Sequence, residues 1–339
     1  MPHEILVVGD SYMNAQLFVD ALQRHGLEAD AATVTVTARP SWPTDGLAEF
    51  EGDPAEVSAL IDGHRVVAFH GAPISRRVIE QNPSVKLLAC ARGGPVNVDL
   101  DAAAEHGVVV TTTPGKNAAA VADLTIGFLI DLLRKVAPSL RDAERRRASG
   151  ERLVESTFDG ARWFGYELKG RRLGLVGLGN VARLVAERAA ALGLEVLAYD
   201  PFVPAGSVAG ITQVSTLDEL LPQVDILSLH ARATADNRHL MSAAQFDALR
   251  PGAFFINTAR ESLVDEQALL AGIRSHHLGG AALDVCESDG PWRELLAEPN
   301  VVITPHIAGA TFETLQRGAQ MLADEILAFT TGGELRWRA

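Results

Sequence analysis

Residues 174–201 read GLVGLGNVARLVAERAAALGLEVLAYDP, and their types and spacing suit the binding of a dinucleotide. Gly177-Leu-Gly179-Asn180-Val181-Ala182 has the G-x-G-x-x-A form. Gly177 permits a tight turn, Gly179 lets a pyrophosphate approach the backbone, and Ala182 is small enough for a helix to pack on the strand. The helix N-terminus then offers free N–H groups to the phosphates. An apolar strand precedes the motif, a helix follows, and an acid, Asp200, closes the next strand. A carboxylate accepts hydrogen bonds from a ribose 2′-OH and repels a 2′-phosphate. Pro201, Phe202 and Val203 come next, with no arginine to hold a phosphate. NAD(H) is therefore expected over NADP(H). The plain alternative is an ordinary glycine-rich strand-to-helix turn.

A second stretch gathers acids. DVCESDGP (284–291) follows the apolar run GGAAL and carries Asp284, Glu287, Asp289 and Cys286. Three more segments end apolar runs with polar groups: SLHARAT (228–234), INTARESLVDEQAL (256–269) and PNVVITPHIAGAT (299–311). Open α/β sheets place their ligands at such strand ends.

The elements that must position these groups alternate. Strands are expected at EILVVG (4–9), TVTV (33–36), VVAFH (66–70), KLLAC (86–90) and GVVVT (107–111). A long helical stretch spans about 118 to 149. A second series follows at RLGLVG (172–177), EVLAY (195–199), DILSLH (225–230), AFFINT (253–258), AALDV (281–285) and VVIT (301–304). Helical patterns separate them, so the sheets should be parallel with right-handed crossovers. Two series imply two doubly wound α/β domains, with a boundary in or near 118–149. The last helix, about 311–330, comes after the second series and is expected to return to the first domain.

Bulk properties agree. With 339 residues and 47% hydrophobic content the chain is long for one core. A net charge of −13 disfavours nucleic-acid binding through a basic face. The run RDAERRRASGER (141–152) interleaves arginines with acids and reads as a solvated helix face. Two cysteines, Cys90 and Cys286, exclude a disulfide framework and fit a reducing cytoplasm. Met1–Gly9 is too short for a signal sequence, and Glu4 interrupts it. The apolar helix DLTIGFLIDLL (123–133) contains Asp123 and Asp131 and reads as core, so no membrane span is expected. No metal site is expected.

With the fingerprint, these ordered segments resemble the D-isomer-specific 2-hydroxyacid dehydrogenase family. ARGGPVNVDLDAAAEHGVVV (91–110) and TPGKNAAAVADLTIGFL (113–129) extend the resemblance over nearly the whole chain. The resemblance implies a flavodoxin-like substrate domain, residues 1–117 plus 311–339, and a Rossmann NAD-binding domain, residues 118–310. It implies reversible hydride transfer between NADH C4 and C2 of a 2-keto acid, with a 2-keto or 2-hydroxy acid as the small-molecule partner. His306 matches the general acid/base, a role that suits an imidazole because it ordinarily titrates near neutrality. His230, its rival, matches a position beside the cofactor. Arg260 matches the residue that binds the substrate carboxylate, which a planar guanidinium can hold through both oxygens. The plain alternative is a surface arginine held by Glu261 or Asp265. Glycine usually follows this arginine in the family, and here Glu261 does.

The family also places a glutamate five residues past the aspartate, to hydrogen-bond the histidine and fix its tautomer. That position here is Asp289, shorter by one carbon–carbon bond; Glu287, on the same side of an extended segment, is the alternative. Asp284 matches a residue near the nicotinamide. Hydride reduction needs no thiol, and Cys286 reads as a small hydrophobe. Thr234, Thr258, Ala259 and Val121 match positions near NAD. Arg92-Gly93-Gly94 matches a loop whose amides cradle the substrate carboxylate. His70 and Asp10-Ser11-Tyr12 end other strands of the first domain and are candidates for reading the variable end of the substrate. A phosphorylated substrate would call for clustered cations; Arg76, Arg77 and Lys86 are the ones at hand, without a placed role. Family members dimerise through the cofactor domain, so a homodimer is expected. A dinucleotide-sensing corepressor on the same fold, or a dehydrogenase whose catalysis has lapsed, are the alternative readings.

Overall fold

The computed structural model describes residues 3–35, 44–151, 160–204 and 206–339. It divides into two compact units, Met1–Lys116 with Thr311–Ala339, and Asn117–Ala310.

The first unit holds a five-stranded sheet: β1 (Ile5–Gly9), β2 (Asp30–Thr33), β3 (Val66–Phe69), β4 (Leu87–Cys90) and β5 (Val109–Thr111). Their order is β2-β1-β3-β4-β5 and every pairing is parallel. Strand order reverses between β1 and β3, the place where such sheets bind ligands. β1, β3 and β4 are buried along their whole length, as strands covered by helices on both faces must be. One face packs Val57, Ile61, Ile79 and Ala102. The other packs Phe18 and Leu22 with Ala319, Leu322 and Ile326 of the last helix, Phe312–Thr331. That helix does return to the first sheet. Beyond its αL cap at Gly332, the chain folds back, and the Glu325 carboxylate accepts the N–H groups of Arg336 and Trp337. β2 lies three residues earlier than the run TVTV suggested, and Val36 is outside the described residues.

The second unit holds seven parallel strands: β6 (Arg172–Val176), β7 (Glu195–Tyr199), β8 (Thr212–Gln213), β9 (Ile226–Leu229), β10 (Ala253–Asn257), β11 (Leu278–Leu283) and β12 (Val301–Ile303). Their order is β12-β11-β10-β9-β6-β7-β8, with the reversal between β6 and β9. β8, two residues long, had no apolar run to announce it. The expected single helix over 118–149 is two helices, Ala118–Arg134 and Val136–Ala148, joined by Lys135 in the left-handed region (φ 54°). Pro138 explains the break. It lacks an N–H and would clash within a continuous helix, but it fits the first turn of a new one. The arginine run is less solvated than its composition suggested. Arg146 is buried and bridges to Asp142 at 2.9 Å, and Arg141 donates to the Val301 carbonyl at 2.6 Å. Among the described residues no helix is long and apolar enough to cross a membrane.

Candidate active site

In the second unit the site builds outward from the strand reversal. Gly177, just past β6, has φ 90°, in the region that favours glycine. A Cβ there would lie 2.7 Å from the Ala231 nitrogen and 2.8 Å from the His230 carbonyl carbon. The loop after β9 therefore runs too close for any other residue. The helix Asn180–Ala191 begins at Gly179 with no side chain capping it. A Cβ on Gly179 would meet nothing within 4 Å, so the space beside the turn is open. A turn of this shape could hold a pyrophosphate; Ala182 is fully buried beneath it and Asn180 and Val181 lie in the first turn. Asp200 ties the turn to β7. Its carboxylate accepts from Leu178 N–H at 2.7 Å and Phe202 N–H at 2.8 Å, which leaves lone pairs for a ribose hydroxyl. Pro201 and Phe202 beside it are exposed.

At the end of β9, His230 shares a hydrogen bond with Ser228 Oγ through Nε2 at 3.0 Å. Burial pushes this imidazole down to about 4, so it is neutral near physiological pH and unsuited to donate a proton. Thr234, exposed, caps a short 3₁₀ turn, and its N–H donates to Asn237 Oδ1 at 2.8 Å.

The end of β10 forms a local clamp. Buried Asn257 accepts from Ala259 N–H at 3.0 Å and donates to the Arg260 carbonyl at 2.9 Å, bending the chain so that Arg260 stands exposed. The guanidinium makes one hydrogen bond, to the Ala259 carbonyl at 2.7 Å, and no ion pair among the described residues. Asp265 is instead the cap of the helix Glu266–Arg274. Arg260 therefore keeps most of its donor fork for a ligand. Thr258 is buried and hydrogen-bonds Thr125 at 3.0 Å, one turn along the helix from buried Val121.

β11 and β12 bring Asp284 and His306 together, in a manner the sequence did not suggest. Asp284 is 1% exposed and faces the segment that follows β12. Its Oδ1 accepts from Ile307 N–H (2.8 Å) and the Thr304 hydroxyl; Oδ2 accepts from Ala308 N–H (2.8 Å). The His306 N–H donates to the Asp284 carbonyl at 3.0 Å. One buried carboxylate thus fixes the loop 304–308 and holds His306 in a left-handed conformation, φ 56°. Asp284, expected at the cofactor, has its carboxylate engaged by this loop.

The expected acid–histidine pair is not formed in this structure. Neither Asp289 nor Glu287 hydrogen-bonds the His306 side chain. Glu287 bridges to Arg238 at 2.9 Å, and Asp289 sits on an exposed turn. A residue passed over in the sequence governs this segment. Glu266, 4% exposed, accepts the Glu287 N–H at 2.8 Å through Oε1, while its buried Oε2 has no partner among the described residues. A Cβ on Gly290 would lie 2.3 Å from that oxygen, so Gly290 makes room for it. Burial, with Glu287 and Glu261 nearby, raises the Glu266 pKa. An acid in a helix's first turn is ordinarily solvated, which is why its sequence position gave no sign of this. Burial, with Glu266, Glu261 and Asp284 nearby, pushes the Cys286 thiol up to about 12, consistent with a packing role.

In the first unit, Gly93 and Gly94 form an exposed turn after β4, and their N–H groups donate no hydrogen bond among the described residues. Arg92, expected on the substrate, is closed onto its own unit. Its Nε donates to the His70 carbonyl at 3.1 Å, and its guanidinium binds the carboxylate and carbonyl of Glu49. His70 Nδ1 meets Asp10 Oδ2 at 3.1 Å, and the ring stacks on Tyr12 at 4.9 Å. Burial opposes the Asp10 charge, but hydrogen bonds from His70, Met13 and Gly71 outweigh it and hold the carboxyl below its ordinary value. Burial lowers the His70 pKa despite that partner.

Known proteins resemble this chain in sequence and fold. Residues 126–308 match the model of the D-isomer specific 2-hydroxyacid dehydrogenase, NAD binding domain. The chain is 32% identical over 277 residues to D-3-phosphoglycerate dehydrogenase from Methanocaldococcus jannaschii, across 81% of this chain and 51% of that protein. It therefore spans about half the length of that relative. It is 34% identical over 286 residues to (S)-sulfolactate dehydrogenase from Chromohalobacter salexigens, across 83% of this chain and 87% of that one. The crystal structure of TT0316 protein from Thermus thermophilus matches with a TM-score of 0.80 and 31% identity, over 99% of each chain.

Proposed function

Because this chain belongs to the D-isomer-specific 2-hydroxyacid dehydrogenase family and carries its NAD-binding domain, we propose that it is an NAD(H)-dependent 2-ketoacid reductase and 2-hydroxyacid dehydrogenase. NADH, when bound, supplies the hydride that reaches C2 of the keto acid. Arg260 holds the substrate carboxylate with its free guanidinium fork and polarises the neighbouring carbonyl. His306 delivers a proton to the carbonyl oxygen, so hydride and proton together give the 2-hydroxy acid; in the reverse direction it takes the proton back. Asp284 acts through the loop, by fixing where His306 stands. Asp289 is the acid nearest in sequence pattern to the histidine's partner, and a rotation of its exposed turn on substrate binding is what that role requires. The exposed amides of Gly93 and Gly94 are a second set of donors for the carboxylate, and His70 lines the same strand ends.

The observation that carries this reading is Arg260. A guanidinium with no acid of its own among the described residues stands at the end of β10, in the row of strand ends that holds the open glycine turn and His306. Asp200 favours NADH over NADPH. The test is NADH oxidation followed by absorbance with a panel of 2-keto acids. Turnover that Arg260→Met lowers through both a raised KM and a reduced kcat supports the proposal. Tight NADH binding without turnover of any keto acid favours a dinucleotide-sensing protein instead. We further propose a homodimer through the helices Ala118–Arg134 and Val136–Ala148, where Ile130, Val136 and Leu140 are exposed; light scattering at one subunit mass contradicts it.

A further inference from the structure

We propose that Lys116 binds a second anionic group at the far end of the substrate, so that the preferred substrates are 2-keto and 2-hydroxy acids ending in a carboxylate, sulfonate or phosphate. This deepens the reductase reading and rests on it.

Lys116 lies at the ligand edge of the first unit's sheet. The loops leaving the carboxyl ends of β1, β3, β4 and β5 supply Met13, His70, Arg92 and Lys116 in turn. The turn carrying Lys116 is tied to the glycine loop, since Thr113 N–H donates to the Arg92 carbonyl at 2.8 Å and Lys116 N–H to the Thr113 carbonyl at 3.3 Å. Only 7% of Lys116 is exposed. Its ammonium has three donors, yet its one hydrogen-bond partner among the described residues is the Met13 thioether, 3.7 Å away. No described carboxylate lies within ion-pair distance of it. The nearby acid cannot serve: both Asp10 oxygens are occupied by Tyr12, Met13, Gly71 and His70.

A buried cation without an anion is costly, and burial pushes this amine down to about 8. The fold nevertheless makes room for it. Gly318 sits inside the helix Phe312–Thr331, where glycine is unfavourable, and a Cβ there would lie 2.9 Å from Lys116 Cδ. Thr113, three residues before the lysine, is fully buried, with a hydroxyl that has no partner among the described residues. An unpaired donor set, kept at a ligand edge by a glycine that accommodates its stem, fits an anion that arrives with the ligand. The edge is open to one, since Tyr12 is 39% exposed and Gly93 and Gly94 are exposed. Two of the cations noted from sequence do not compete for this role. Arg76 is paired with Glu105, and Lys86 precedes β4 at the opposite edge of the sheet.

The test uses three-carbon 2-keto acids bearing hydrogen, hydroxyl, carboxylate, sulfonate or phosphate at C3, with NADH and the full chain. The wild type is expected to prefer one of the three anionic forms over the neutral forms in kcat/KM, and the preferred form identifies the group. Lys116→Met is expected to reduce that preference about 30-fold, the scale of one lost charge-assisted hydrogen bond. Gly318→Ala, which keeps the lysine but crowds its stem, is expected to reduce it in the same direction, and guards against a misfolded Lys116 variant. Turnover of neutral and anionic forms with equal efficiency overturns the inference and leaves the reductase reading standing. So does an anionic preference that survives in both variants. Absence of turnover with every keto acid overturns the reductase reading and this inference with it.

Discussion

Replacing Asp284 with asparagine separates two roles for a buried acid. In the wild type, its two oxygens accept from Thr304, Ile307 and Ala308, and so hold the loop that carries His306. Asparagine puts an NH2 group where one of those oxygens was. At Oδ2 it would face the Ala308 N–H, leaving a buried donor unserved at a cost of about 1–3 kcal/mol. The remaining bonds fall from charge-assisted to neutral strength, a loss of about 1 kcal/mol each. The sum is about 3–5 kcal/mol. If the strain is relieved by releasing the loop, about 3 kcal/mol depopulates the productive position of His306 at least 100-fold. Asp284→Asn is therefore expected to lower kcat/KM by about 100-fold, with NADH affinity within about threefold of wild type. Hydrogen exchange at residues 304–308 should accelerate, and the melting temperature of the unit should fall by about 6–20 °C. The assays are steady-state kinetics, NADH fluorescence titration and exchange mass spectrometry. A variant with wild-type kcat and strongly weakened NADH binding refutes this reasoning and returns Asp284 to the cofactor.

Glu266, whose pKa burial raises, binds its proton more tightly folded than unfolded. Its contribution to stability is fully present below the ordinary value of 4.5 and is lost as pH rises through the folded pKa, so Glu266→Gln should gain in melting temperature relative to wild type across that rise; a pH-independent difference contradicts this. Burial pushes Cys90 and Cys286 each up to about 12, so a thiol-specific alkylating agent at mildly alkaline pH should leave NADH oxidation intact, and rapid inactivation contradicts the packing role. Asp200→Ser removes the charge that disfavours a 2′-phosphate, and the NADH-over-NADPH ratio of kcat/KM should fall about tenfold or more; an unchanged ratio contradicts the assignment.

The parts of the fold that were legible from sequence share a physical basis. Parallel strands buried on both faces must be apolar runs, and theirs placed all but β2, β8 and β11, which starts three residues before the run AALDV. The glycine turn was legible because it needs a positive φ at Gly177, a requirement that restricts the residue type. Two helices were read as one because Lys135 carries no cap signal, and Pro138 falls where a first turn tolerates it. The site was legible in its parts and illegible in its pairings. Asp284, Glu266 and Lys116 each owe their roles to burial and to partners distant in sequence. Asp284 bonds a loop about twenty residues on. Glu266 meets the peptide of Glu287. Lys116 lies against Met13 and Gly318. Periodicity and motif spacing hold no record of such contacts, and the choice between Asp289 and Glu287 was beyond them for the same reason.

The most direct test of the central claim is single-turnover hydride transfer in His306→Gln. Enzyme loaded with NADH is mixed rapidly with a 2-keto acid that the wild type reduces, and the nicotinamide absorbance is followed. Loss of the proton donor is expected to slow the transfer by about 100- to 10,000-fold, with NADH binding retained. Transfer at the wild-type rate contradicts the account.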